Sequence, residues 1–558
     1  MKFFSFFMFI PLFSLFSLDF YDAGDPEVLA SALTEQMTDE QVLAQTLMLG
    51  WGDRSNGTLP NSLILDWIRQ RCLGGVKVFG WNTNNTLELA ETIGIFQSEA
   101  LKGPFRIPLL VATDQEGGWI RHVKGATSQT PGNMALGASG YAMDAYWTGY
   151  YIGKELALLG INMNFAPVVD LYTNRDSVLI GPRSFGTDPV QAGMLGAAFM
   201  KGQHETGVIA TAKHYPGHGD TALDSHGVLP QMLSTFEMLW QRELIPYRIM
   251  IREGVPAVMT GHIAFPNTPA GSTPASLSPW FLSDMLRDKM GFQGVVITDD
   301  LMMNGAVLSA GNLSLAAKQA LAAGNDIIMF SRTPYLYDPI WTRLITAMRE
   351  DPAFRRQVRS AARRIILVKL RYLRGAKAVP LIPDLKKVAT NLPDPEGAAF
   401  FLDMAARSVT VVKGDDGLFP LSPEKAGKVL LAGQFEDFFR IGKAAYPDAA
   451  SYRYAASRGA DLARQAQKAD TVIFCLSKAE DVYALKALQN TRKRVIVFSI
   501  LSPVYLDETP WVDGAVAVYS YASSSFIAGF SALLGRIPAD GALPFPLHEP
   551  RWIAPYDS

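Results

Sequence analysis

Fifteen residues from Lys213 to Gly227, KHYPGHGDTALDSHG, hold three of the chain's seven histidines, with a lysine and two aspartates. Such a set could ligate a metal, move a proton, or do neither in a polar loop. His214 and His218 have the i, i+4 spacing that shares one face of a helix. Pro216 and Gly217 stand between them and forbid that helix, and the glutamate of the helical metalloprotease motif is missing. A metal is therefore not expected. Asp224-Ser225-His226 reads differently. In extended backbone the Asp224 and His226 side chains point to the same side. A carboxylate so placed can hold one imidazole nitrogen and leave the other to exchange a proton with a substrate near neutral pH. A D-x-H triplet is common by chance, so it carries weight only with a reaction partner.

The candidate partner is Asp299, in GVVITDDLMM. It ends an apolar run and is followed by Asp300. Adjacent residues at a strand end point in opposite directions, so one carboxylate can enter a site while the other caps the next segment. A carboxylate nucleophile with a separate proton donor is the plan of retaining glycoside hydrolysis. Both groups are usually carboxyls; here the donor would be a histidine.

These groups need a frame. From about residue 30 to 375, eight short apolar runs alternate with helical patterns: TLMLGW, GGVKVFG, PLLVATD, NMNFAPVVD, GVIATAKHYP, PAVMTGHI, GVVITDD and NDIIMFS. Runs apolar on both faces and separated by helices indicate a parallel sheet, and eight of them fit a (β/α)8 TIM-type barrel. Polar groups fall at the ends of five runs: Asp114, Asp170, Lys213 with His214, His262 and Asp299. Each could instead cap the helix that follows it. Five strands delivering such groups to one rim argue for a site at the C-terminal face of the barrel. His262 is a further candidate for its wall, His218 for shaping the loop, and Asp170 for holding backbone amides.

The stretch AKAVPLIPDLKKVATNLPDPEG carries four prolines and no strand pattern. Beyond it, SVTVVK, KVLLAG, DTVIFCLS, RVIVFSIL and GAVAVYSY again alternate with helical stretches. The expected organisation is a barrel over 28–375, a connection over 376–395, and a smaller α/β sandwich-like domain with a parallel-type sheet over 396–558. At the other end, MKFFSFFMFIPLFSLFSLDFYDAGD has a lysine, an uncharged apolar run to Leu18, then acidic residues. Residues 1–18 read as a signal peptide or N-terminal anchor, which implies export to a periplasmic or extracellular location or attachment to a membrane. A formal net charge of -2 over 558 residues gives no basic footprint for nucleic acid. The two cysteines, Cys72 and Cys475, suggest neither a disulfide nor a metal site.

The long motif KHYPGHGDTALDSH, with ITDDLMM downstream, closely resembles glycoside hydrolase family 3, in its β-N-acetylglucosaminidase branch. TDQEGG (113–118), NFAPVVDL (164–171), IGPRSFGTDP (180–189) and GHIAFP (261–266) support the resemblance, in the family's order. It implies an exo-acting site for a terminal, non-reducing β-linked N-acetylglucosamine. Asp299 would be the nucleophile, His226 the acid/base and Asp224 its partner. Arg183, Lys213 and His214 would hold sugar hydroxyls, and Asp114 would accept from hydroxyls on the far side of the ring. No metal or cofactor is implied, and the partner is a carbohydrate, cell-wall or chitin-derived. The sequence departs from the family where an arginine usually stands eight positions past Asp114; here it has His122, with Arg121 beside it. Three other readings remain open at this stage: an N-acetylglucosaminide phosphorylase, a β-glucosidase, and a non-catalytic sugar-binding protein on the same fold.

Overall fold

Each of the five Asp-Pro pairs of the sequence starts a helix: Pro26–Gln36, Pro189–Glu205, Pro339–Glu350, Pro352–Tyr372 and Pro395–Ser408. Proline fits the first helical turn, where no amide proton is needed, and the aspartate before it accepts from amides of that turn. The structure is a computed structural model; it describes residues 18–53, 57, 59–223, 227–414 and 417–547. The N-terminal segment up to residue 17 lies outside these. Among the described residues no helix is long and apolar enough to cross a membrane.

Every one of the eight expected apolar runs contains a strand of a closed barrel. The strands are β1 (Leu47–Gly50), β2 (Gly75–Val78), β3 (Leu110–Thr113), β4 (Met163–Asn164), β5 (Ile209–Tyr215), β6 (Ala257–Thr260), β7 (Val295–Asp300) and β8 (Ile327–Phe330). All neighbours pair in parallel, and β8 closes on β1. The strands are buried throughout except at the last two residues of β7, Asp299 and Asp300. Register slips occur in two places, between Ala212 and Tyr215 on β5 and between Ile297 and Asp300 on β7. Irregular pairing re-aims the side chains it contains. The two slips span Lys213–His214 and Asp299.

The connection over 376–395 contains the helix Leu385–Asn391, and its Asp394 amide donates to the buried carboxylate of Glu155 at 2.9 Å. The second domain is built on six strands: β9 (Thr410–Gly414), β10 (Val429–Gly433), β11 (Ala450–Arg453), β12 (Thr471–Leu476), β13 (Arg494–Ser499) and β14 (Gly514–Ala517), in the order β9-β14-β13-β12-β10-β11. Alternate residues face two apolar layers, Leu431, Ile473 and Phe498 on one side and Leu430, Phe474 and Val497 on the other. Two details correct the sequence reading. The sheet is mixed, because β9 runs antiparallel to β14. The edge strand β11 was not expected: three of its four residues are exposed, so it lacks the apolar run that marked the others.

Candidate active site

The rim of the barrel carries a chain of alternating charges. Lys77, on β2, is fully buried; its Nζ donates to Asp114 Oδ2 at 2.7 Å and to the Val78 carbonyl at 3.0 Å. Asp114 immediately follows β3. On β5, Lys213 Nζ bridges Asp114 Oδ1 at 2.5 Å and Glu116 Oε1 at 2.6 Å. Glu116 is then held from the other side by Arg183, whose Nε and Nη2 donate to its two oxygens at 2.8 and 2.7 Å. Paired, charge-assisted bonds of this kind hold side chains in one geometry. They also fix charge. Burial pushes the carboxyls of Asp114 and Glu116 up, but the neighbouring cations outweigh it and both lie below the usual carboxylate range, Asp114 well below. Burial lowers the Lys213 ammonium, yet its two carboxylates leave it above its ordinary value.

A second unit is centred on Asp170. Its Oδ1 accepts from the backbone amides of His214 at 3.2 Å and His218 at 2.8 Å, while His214 Nδ1 meets its Oδ2 at 2.7 Å. The opposite ring nitrogen of His214 faces Arg183 Nη2 at 3.3 Å. Asp170 thus holds amides, as expected, and also orients His214 against the guanidinium.

Asp299 stands where β7 leaves its partner's register, and its Oδ1 accepts from the Asp300 amide at 2.8 Å. Burial pushes its carboxyl up, but the His214 and His262 imidazoles, the Asp300 amide and the Lys213 ammonium carry it below the usual range. It is an ionised carboxylate at neutral pH. Asp300 behaves oppositely: burial raises its carboxyl, and its Oδ1 accepts from the amides of Met302 at 3.0 Å and Ser331 at 3.1 Å. It fastens the turn after β7 to the end of β8. His262 does not reach the pocket wall. Its ring is buried between Ser276 Oγ at 2.7 Å and the Asp300 carbonyl at 3.0 Å.

These groups surround a cavity of about 320 Å³, a size suited to a small ligand. Its polar wall is formed by the ion-pair chain with His122, His214, His218, Asp299 and Asp300; Phe79, Ile120, Leu179, Met303 and Met329 supply the apolar remainder. The sequence-derived residues Asp114, Arg183, Lys213, His214 and Asp299 therefore meet in one pocket. Asp224 and His226 lie outside the described residues. On the near side of that stretch, His218 lines the cavity and Asp220 is bonded to Arg242 at 2.7 Å. Among the described residues, no group of three or more His, Cys, Asp or Glu is arranged to hold a metal ion.

Three titratable wall residues were not selected from the sequence. Lys77 is a lone charge inside the apolar strand GGVKVFG, a signal that was legible, since a buried charge requires a partner. Glu116 stands two places after Asp114, the spacing that shares a side of an extended chain. His122 was set aside as a departure. Its Nδ1 lies 3.3 Å from Lys77 Nζ and 3.5 Å from Asp114 Oδ2, and burial, with the Lys77 charge, lowers its pKa to about 4. It is a neutral imidazole at the rim. Arg121 beside it points away, donating to the Thr127 and Ser128 carbonyls.

Residues 39–368 match the glycosyl hydrolase family 3 N-terminal domain. The chain is 32% identical over 427 residues to beta-hexosaminidase A of Pseudoalteromonas piscicida, covering 70% of each protein. Its fold matches that of a family 3 beta-N-acetylglucosaminidase from Paenibacillus sp. str. FPU-7 with a TM-score of 0.82 at 28% identity, over 92% of this chain and 99% of that one. It also matches a fungal multi-domain family 3 beta-N-acetylglucosaminidase with a TM-score of 0.84 at 29% identity, over 92% of this chain; there it spans only 61% of the longer chain. The barrel, the charged rim and these likenesses agree that the chain belongs to glycosyl hydrolase family 3, a family of enzymes acting on glycosides.

Proposed function

We propose that the protein is a retaining exo-glycosidase that removes a terminal, non-reducing β-linked N-acetylglucosamine from glycan fragments. The observation that carries this reading is Asp299, an ionised carboxylate at the mouth of the barrel in a small cavity with charged walls. The names of the relatives it resembles supply the sugar. In this reading Asp299 attacks the anomeric carbon, and His226, oriented by Asp224, gives a proton to the departing oxygen. A glycosyl-enzyme ester results. His226 then takes a proton from water, which cleaves the ester and restores both groups. Arg183, Lys213 and His214 donate to the sugar's oxygens, and Asp114 accepts from hydroxyls across the ring. The partner is a carbohydrate, with no cofactor. Export of the chain, directed by residues 1–18, belongs to the same proposal; N-terminal sequencing of the protein from a secreting cell would test it.

The decisive test compares a chromogenic β-N-acetylglucosaminide with the corresponding β-glucoside, with and without inorganic phosphate. We expect preference for the first, independence from phosphate, loss of turnover in Asp299→Ala, and a strong reduction in His226→Ala. Faster cleavage of the glucoside would overturn the sugar assignment. A phosphate-dependent glycosyl phosphate product would overturn hydrolysis. A fully active His226→Ala enzyme, on a substrate with a poor leaving group, would remove the dyad.

A further inference from the structure

The loop between β4 and the helix Pro189–Glu205 brings two residues to the cavity, Leu179 and Arg183. Inside the barrel domain it is held at Arg183 itself, whose carbonyl accepts from Asn133 Nδ2 at 2.8 Å, and at its base, where the Tyr172 amide donates to the Gly186 carbonyl at 3.0 Å. The barrel also holds it through the Arg183–Glu116 pair, through Asp170 on His214 and His218, and through the Asn174 amide, which donates to the Gly219 carbonyl at 3.1 Å. Its outer side is held by the second domain. Arg175 is paired with the carboxylate of Asp507, and its Nη2 donates to the Pro546 carbonyl at 2.7 Å. The Thr187 amide donates to the Pro544 carbonyl at 3.0 Å. The Tyr172 ring meets Phe545 edge-on at 5.0 Å, both rings buried. Gly186 has φ +135° and lies so near this stretch that a Cβ there would stand 2.3 Å from the Pro544 oxygen. The segment 544–546 therefore lies along the loop like a strap, and the turn Pro503–Glu508 after β13 adds the Asp507 carboxylate.

We infer that the second domain is a positioning element of the glycoside site, with Arg175 and Asp507 as its adjustable clamp. Among its described residues it supplies no group to the cavity. It sets where the loop stands, and so where Arg183 and Leu179 meet the sugar. This rests on reading the cavity as the site that holds the glycoside. Arg175 is a positioning residue: its side chain is one-third exposed and touches no cavity group. A partly exposed ion pair contributes little to global stability, so breaking it tests placement rather than folding.

The experiment uses the full chain, with Arg175→Met, Asp507→Asn and the exchanged pair Arg175→Asp with Asp507→Arg. Initial rates are measured on whichever of the two chromogenic glycosides the wild type turns over faster, alongside the thermal midpoint. Each single variant should raise KM about tenfold, since a displacement of an ångström at a binding group is costly. We expect kcat within about twofold and an unchanged midpoint, and the exchanged pair should recover most of the loss. An unchanged KM, or an exchanged pair that recovers nothing, overturns the clamp. If neither glycoside is turned over, the reading of the cavity fails instead. Amide hydrogen exchange over 171–188 then decides the clamp without substrate: faster exchange in Arg175→Met supports it, and identical exchange overturns it.

Discussion

Three lysines are buried in the barrel domain, and they differ in one respect. Lys213, at the rim, meets two carboxylates and lies above its ordinary pKa. Lys77, beside it, meets one and lies below. Lys369, inside the helix Pro352–Tyr372, donates to the neutral Gln45 Oε1 at 2.9 Å, and burial pushes it down to about 7. All three are buried; the number of anionic partners sets which way burial's downward push is offset. The rim keeps Asp114, Glu116 and Lys213 charged by pairing them with one another, and among the described residues the helix offers Lys369 no such partner. That contrast separates a site built to keep charge from a core position that tolerates a lysine.

The sharpest break within the rim is Asp299→Asn. Asp299 makes no ion pair among the described residues, so its removal should leave the unfolding midpoint in place while kcat/KM falls about ten-thousandfold or more. Lys213→Met should break the comparison from the other side. It leaves Asp114 with Lys77 and Glu116 with Arg183 but removes the cation between them, and denaturant unfolding at pH 7 should show a loss of about 1.5–3 kcal/mol. Lys369→Met should do the opposite. The folded pKa of Lys369 lies below its unfolded value, so the unfolded chain binds the extra proton between pH 7 and about 10. Wild-type stability relative to Lys369→Met should therefore rise with pH, by about 1.4 kcal/mol per unit across that window. A pH-independent difference would sink the assignment of Lys369 as the unpaired member. The smallest effect is expected at His122→Ala, which removes a neutral donor from the rim: KM should rise about three- to tenfold with kcat unchanged, the loss of one hydrogen bond.

The barrel was legible because its strands are buried on both faces and leave continuous apolar runs. The same rule hid β11, whose exposed edge position leaves polar residues in a strand. Asp114, Lys213, His214 and Asp299 were legible as polar residues breaking the ends of apolar runs. Arg183 was carried by the resemblance alone, since no run precedes it. Lys77 and Glu116 were missed although both sit within quoted stretches, because their role depends on which neighbours the barrel brings near: Asp114, 37 positions from Lys77, and Arg183, 67 positions from Glu116. His262 shows the converse. Its place after β6 suggested the pocket, while its two ring contacts turn it inward.

The strap along the β4 loop has a consequence for how the molecule is made. The barrel helices are complete by Tyr372, and the strap residues emerge from the ribosome about 170 residues later. At ordinary rates of synthesis that is a delay on the order of ten to thirty seconds. Throughout it, the barrel can close while the loop bearing Arg183 still lacks its outer support. If the strap sets the loop as inferred above, a chain released before residue 544 would carry every strand of the barrel and a pocket whose Arg183 loop lacks its outer hold.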